Sequence, residues 1–128
     1  MFNRLRKMKV HYLKTIPKYF RDAARGNKPF EVRKNDRNFK VGDIVQLDEW
    51  LPKEKKYTGR SVCGVITYIL SDRQYCKNGF VILGIPHYEK VKGARDRANH
   101  IKEVLRMFNR LRLALRVLSR RENSLIII

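Results

Sequence analysis

The spacing of apolar and polar residues over the first two thirds of the chain predicts five short strands and one helix. Strands are expected at 9–14, 29–34, 44–47, 57–70 and 80–83. In the second of these, Phe30 and Val32 face one way and the charged residues that alternate with them face the other, which is typical of a half-buried strand. Pro17 opens a helix over 18–25 that stops at Gly26. The predicted fold class is α+β: a small, partly open β-barrel with a helix packed beside it.

The last third of the chain has a different pattern. From Ala94 to Arg121 apolar residues recur at spacings of three and four, which predicts one long C-terminal amphipathic helix with a basic opposite face. Docking on the barrel, self-association through the apolar stripe and contact with nucleic acid remain open as its role, and a membrane-surface role ranks last. The expected organisation is a basic extension at 1–7, a compact domain at 8–85, a linker at 86–93, the helix at 94–121 and an apolar tail at 122–128.

The charge of the chain indicates which class of partner it binds. Lys and Arg total 30 against 12 Asp and Glu, a formal net charge of +18. Such an excess favours a polyanion, and nucleic acid is the commonest one because basic side chains release its condensed counterions. No apolar run is long enough to span a membrane and the first residues lack the apolar stretch of a secretory signal, so a cytoplasmic location is expected. The two cysteines and three scattered histidines predict free thiols and no metal site, and no cofactor is expected.

The chemically most informative stretch runs from Gly26 to Asp43. Lys28, Glu31 and Arg33 are spaced so that a cation, a carboxylate and a guanidinium can hold one another or converge on a ligand. Arg offers a planar fork for a phosphate or a base edge, and Glu accepts from amino groups. The alternative is a purely structural role, in which these side chains form a solvated ladder of salt bridges along the strand. The chemistry of the residues alone favours a ligand site and a structural role equally.

A resemblance adds to this interpretation. The segment Met8 to Ile85 carries Gly26-x-Lys28-x-x-Glu31-x-Arg33 and, further on, Val41-Gly42-Asp43 and Tyr57-Thr58-Gly59-Arg60. It resembles domain of unknown function 3850, a phage and bacterial branch of the ASCH domains within the PUA-like superfamily. The resemblance implies a β-barrel with a helix beside it and a cleft, lined by the segment 26–33, that binds RNA or a nucleotide.

The function predicted from these observations is RNA binding. The expected nucleic-acid contacts are His11, Lys14, Lys28, Glu31, Arg33, Lys34, Asn35, Arg37 and Arg60. The helix is expected to touch phosphates through Arg106, Arg110, Arg112 and Arg116, and possible partners of the helix are a protein or a second copy of the chain.

Two alternatives stay open. Related ASCH proteins are small amidohydrolases acting on 4-acetylcytidine, in which a Lys matching Lys28 is followed three positions later by a Thr nucleophile. Glu31 stands at that position here, so catalysis would have to use Lys28 and Glu31 with an activated water. The other alternative is a phage-like adaptor that binds a host ribonucleoprotein or another protein through the C-terminal helix.

Overall fold

The computed structural model describes residues 8–91 together with Arg106, Asn109 and Arg110. Eight elements follow one another in the described chain: β1 (Val10–Thr15), α1 (Pro17–Ala24), β2 (Phe30–Lys34), β3 (Ile44–Leu51), β4 (Lys56–Val65), β5 (Tyr68–Leu70), β6 (Phe80–Gly84) and β7 (Tyr88–Lys90).

The strands form two sheets that alternate along the chain. The first has the order β1-β3-β4-β7, with β1 parallel to β3 and the other pairs antiparallel. The second is antiparallel, with the order β2-β6-β5. Because β1 and β3 are parallel, the chain between them makes a crossover that contains α1 and β2.

One apolar core joins the two sheets and the helix. Leu13 of β1 lies opposite Leu47 of β3, and both are buried on the inner face of the first sheet. The helix contributes Phe20 and Ala23 to the same cluster, and β6 contributes Val81 and Leu83. Inward-facing residues of β1, β3, β4 and β6 therefore build the core together with the helix.

The predicted helix is confirmed, and its ends have the expected chemistry. Pro17 occupies the first helical position after Ile16, whose backbone is extended. Gly26 follows the C-cap residue Arg25 with φ of +79°, a conformation that glycine adopts without a steric penalty.

The predicted β-barrel and the α+β class are wrong. The described part of the chain is mostly β, with α1 as its one complete helix, and the two sheets do not close on each other. At the edge strand β1, the carbonyl oxygens of Tyr12 and Lys14 accept hydrogen bonds from the guanidinium groups of Arg37 and Arg33. Side chains, and not a strand of the second sheet, therefore bond to this edge.

The strand β7 falls in the segment 86–93 that was expected to be a linker. It pairs with β4 over three residues and completes the first sheet. The expected C-terminal helix at 94–121 lies outside the described residues apart from Arg106, Asn109 and Arg110, which are helical. The extension at 1–7 and the tail at 122–128 also lie outside them.

Candidate functional site

A cleft of about 710 Å³ opens where the end of β1, helix α1 and strand β2 meet. Its lining consists of Lys14, Thr15, Ile16, Tyr19, Asp22, Asn27, Lys28, Phe30, Glu31, Val32 and Arg33. The segment 26–33 was predicted to line a cleft, and the structure places most of it there.

An ion cluster of Lys28, Glu31 and Arg33 forms one wall of the cleft. The Glu31 side chain is buried, with only 2% of the residue exposed. Lys28 Nζ donates to Oε2 of Glu31, and Arg33 donates to Oε1 from Nε at 3.2 Å and from Nη2 at 2.9 Å. The carboxylate is thus held by two cations, which is the condition under which a charge is tolerated in a protein interior.

Arg33 is held by further contacts on both sides. Its Nη2 also donates to the hydroxyl of Thr15 at 3.0 Å, and its Nη1 donates to the carbonyl of Lys14 at 3.1 Å. All three guanidinium nitrogens therefore bond to protein atoms. Lys28, in contrast, has donors beyond the one that it uses for Glu31, because an ammonium group carries three.

The outer side of the cleft is aromatic and apolar. Strand β2 turns its polar residues inward and its apolar residues outward, so that Val32 is 52% exposed while Glu31 is buried. Phe30 from β2 and Tyr19 from α1 are also exposed, and their ring centroids lie 5.5 and 5.8 Å from Lys28 Nζ. A cation between two accessible rings suits a ligand with both a negative group and a flat apolar one.

Lys14 lies at the border between the cleft and the hairpin of β3 and β4. Its Nζ is 4.1 Å from the ring centroid of Trp50 and 5.8 Å from that of Tyr57. The two rings contact each other nearly edge to face, with centroids 4.7 Å apart.

Arg60, a predicted contact residue, lies on the same hairpin and is largely exposed. Its Nε and Nη2 bond to Oε1 of the buried Glu49 at 2.7 and 2.6 Å, and the Thr58 hydroxyl donates to the same oxygen. The other oxygen of Glu49 has no hydrogen-bond partner among the described residues. Glu49 lies opposite Thr15 in the pairing of β1 and β3, one strand away from the cleft lining.

Other predicted contact residues lie elsewhere. His11 is buried and bonds through Nε2 to Oδ2 of Asp43 at 2.9 Å, so it is outside the cleft lining. Lys34 and Asn35 are exposed beyond the end of the lining, and Arg37 is tied to β1 through the carbonyl of Tyr12.

The predicted contacts on the C-terminal helix can be placed only in part. Arg106 is exposed, and Arg110 donates from Nη2 to Glu89 on β7 at 2.8 Å. Arg112 and Arg116 lie outside the described residues.

Sequence reasoning missed three residues of this region. Thr15 lines the cleft and Trp50 pairs with Tyr57, but neither has a sequence motif of its own. Tyr88 was missed because β7 was not predicted; its buried hydroxyl has no hydrogen-bond partner among the described residues. Burial, followed by the charge of Glu31, raises the pKa of Tyr88 far above its ordinary value, so the phenol is neutral beside the ion cluster.

The described residues contain neither a group of side chains that could bind a metal ion nor a membrane-spanning helix. Their His, Cys, Asp and Glu side chains do not gather in groups of three or more that could ligate a metal ion. Nor do these residues include a helix with the length and hydropathy needed to cross a bilayer.

Comparison with known proteins places this architecture in a family. The model of a domain of unknown function, DUF3850, matches residues 10–85, more than half of the chain. An uncharacterized 12.9 kDa protein in the GpA 3′ region of Escherichia phage P2 is 42% identical over 66 residues, which cover 50% of this chain and 59% of the phage protein. The chain thus spans less than two thirds of the length of that relative.

Proposed function

The chain belongs to the DUF3850 family, and from that premise we propose that its cleft binds a nucleotide of RNA. The carrying observation is the ion cluster beside two exposed rings: Glu31 fixes Lys28 and Arg33 at a wall that Tyr19 and Phe30 border. We also propose that the family is related to the ASCH domains of the PUA-like superfamily through the motif from Gly26 to Arg33.

The cluster divides the work between its two cations. Arg33 uses its guanidinium nitrogens for hydrogen bonds to Glu31, Thr15 and the backbone of β1, so its role is to position the wall of the cleft. Lys28 keeps free donors and faces the cleft, so it is the group that would contact a phosphate. One carboxylate between two cations leaves the cluster with a net positive charge, which attracts an anion.

The aromatic border supplies the second part of recognition. A base splayed out of a single strand can stack on Tyr19 or Phe30, because every base has a π-face. Bases inside a duplex are already stacked, so the aromatic border favours unpaired nucleotides. The net charge of +18 adds a contribution that does not depend on sequence and that weakens with salt.

The geometry favours binding over the amidohydrolase alternative. Both oxygens of Glu31 already accept hydrogen bonds from cations, an arrangement that suits positioning better than abstraction of a proton from water. The adaptor alternative concerns the segment 94–121, which lies mostly outside the described residues, and it stays a prediction.

The test is fluorescence anisotropy with single-stranded RNA, duplex RNA and the matching DNAs, at low and at near-physiological salt. The variants are Lys28→Met and the pair Tyr19→Ala/Phe30→Ala. Their controls are Lys77→Met and Tyr75→Ala, which change exposed residues outside the cleft lining.

We expect single-stranded RNA to retain affinity at the higher salt. The Tyr19→Ala/Phe30→Ala pair should lose at least about fivefold, since one stacked base contributes on the order of 1–3 kcal/mol, and Lys28→Met should bind more weakly because it loses the phosphate contact. The control variants should bind as the parent does. The proposal fails if all polyanions bind alike, lose affinity together with salt, and do not distinguish the cleft variants from their controls.

A further inference from the structure

The hairpin of β3 and β4 carries an aromatic pair and a basic tip next to the cleft. Trp50 and Tyr57 lie opposite each other where the two strands enter the turn. Between them are Lys53, Lys55 and Lys56 against the single acid Glu54, all exposed. Tyr57 is itself 51% exposed, although a ring of that size is usually more deeply buried in a core.

Lys14 makes the hairpin continuous with the cleft. Lys14 is one of the residues that line the cleft, its carbonyl accepts from Arg33 of the cleft wall, and its Nζ lies against the rings of both Trp50 and Tyr57. A ligand that fills the cleft and extends past Lys14 therefore reaches the exposed ring of Tyr57 next.

We propose that Tyr57, supported edge-on by Trp50, is a second stacking subsite for the neighbouring nucleotide of a single-stranded RNA. This inference rests on the proposed function of the cleft and deepens it, because it assigns a strand of at least two unpaired nucleotides as the ligand. Lys14 lies between the two subsites and binds the phosphate that links them. The lysines of the tip contact the phosphates that follow.

Three features support a nucleic-acid strand as the occupant of this surface. The exposed rings provide stacking that tolerates any base, which is how single-strand binding proteins hold successive nucleotides. The surplus of lysines at the tip is complementary to phosphate and places several cations within a few residues. The turn projects these groups from two paired strands, so the rings are held in position by the sheet.

The chain provides its own probe for the second subsite, since Trp50 is the only tryptophan. The 128-residue chain is titrated with adenosine monophosphate, with a single-stranded hexaadenylate and with an RNA duplex, while tryptophan fluorescence and the anisotropy of labelled RNA are both followed. The variants are Tyr57→Ala, Tyr57→Phe and the control Tyr75→Ala, whose ring is 68% exposed and lies off the hairpin. Circular dichroism checks that each variant is folded.

The expected result has four parts. Hexaadenylate changes the Trp50 fluorescence, whereas the monophosphate, which fills the cleft alone, changes it much less. Tyr57→Ala weakens hexaadenylate about 5- to 150-fold, the equivalent of one stacked base, and leaves monophosphate binding unchanged. Tyr57→Phe restores the affinity, because it keeps the ring, and Tyr75→Ala behaves as the parent.

The possible failures are distinguishable. If hexaadenylate binds with an affinity that depends on Lys28, but Tyr57→Ala binds equally well and the Trp50 fluorescence does not respond, the second subsite is wrong and the cleft proposal stands. If Tyr57→Ala abolishes binding while Lys28→Met has no effect, the hairpin acts without the cleft, and both proposals are overturned. A duplex that binds as tightly as the single strand also overturns the second subsite.

Discussion

Glu31 owes its place in the interior to its neighbours. Lys28 and Arg33 satisfy both of its oxygens, and their own side chains keep 16% and 24% of their surface exposed. Removal of the carboxylate would leave two cations close together with nothing between them. The cost of breaking such a pair generally exceeds what the pair itself contributes to stability, since the remaining charges stay partly desolvated.

We predict that Glu31→Gln lowers the free energy of unfolding by about 2–3 kcal/mol, less than for a fully buried pair because water reaches both cations. The new amide group would also direct donors at donors. Urea denaturation measures the loss, and Glu54→Gln, on the exposed turn of the β3–β4 hairpin, is the control. A loss no larger than that of the control would show that Glu31 is not the anchor of the cluster.

Cys63 is a second buried group whose protonation matters. Burial, with smaller contributions from the charges of Asp48 and Glu89, raises the pKa of its thiol from 9.0 to about 12. The folded protein therefore holds this proton more tightly than the unfolded chain does. The contribution of this proton to the free energy of unfolding is fully present below about pH 9 and is lost as the pH rises toward 12.

We predict that the free energy of unfolding falls less steeply above pH 9 in Cys63→Ala than in the parent. The difference in slope approaches about 1.4 kcal/mol per pH unit, the value for one proton. Urea denaturation at pH 8, 9.5 and 10.5 gives both slopes, and the comparison removes the titration of lysines and tyrosines common to the two proteins. Parallel slopes would contradict the assignment.

At the scale of elements, β4 and β7 approach each other closely at Gly64. A methyl group on this residue would press on the Ile85 side chain and lie 2.7 Å from the carbonyl oxygen of His87. The carbonyl belongs to the backbone and cannot turn away as a flexible side chain does. Glycine is thus required at position 64 because the chain that leads into β7 packs closely against it, and not because the backbone turns there.

We predict that Gly64→Ala destabilises the protein by about 1–3 kcal/mol through overpacking. Thermal or urea denaturation measures it. Gly84→Ala is the matched control, since its methyl group would meet the Tyr68 Cβ at 3.3 Å, a smaller intrusion. Equal losses in the two variants would mean that the β4–β7 approach is not specially tight.

The elements also show what the sequence could and could not predict. Pro17 and Gly26 mark the helix ends by local stereochemistry, and the motif from Gly26 to Arg33 was correctly expected beside a cleft. The inward face of β2 could not be predicted, since Phe30 and Val32 are its apolar residues and the burial of Glu31 depends on its ion pairs with Lys28 and Arg33. The open edge of β1 could not be predicted either. Arg33 and Arg37 bond to β1 there, and each of them is 18 or more residues away in sequence from its partner in β1.

At the scale of the whole molecule, many acids are committed to internal contacts. Glu31 and Glu49 are buried against basic side chains, Asp43 is buried against His11, and Glu89 pairs with Arg110. These carboxylates add little negative potential to the surface. The exposed lysines and arginines therefore dominate the electrostatic potential of the described surface.

The alternation of the two sheets along the chain determines how the protein can be made. β1 meets β3 only after the chain has passed through α1 and β2, and the first sheet is complete only when β7 is in place. Each sheet pairs strands that are distant in sequence, so most of residues 8–90 must leave the ribosome before either sheet is complete. Contacts between such distant residues favour folding in about milliseconds to seconds and not in microseconds.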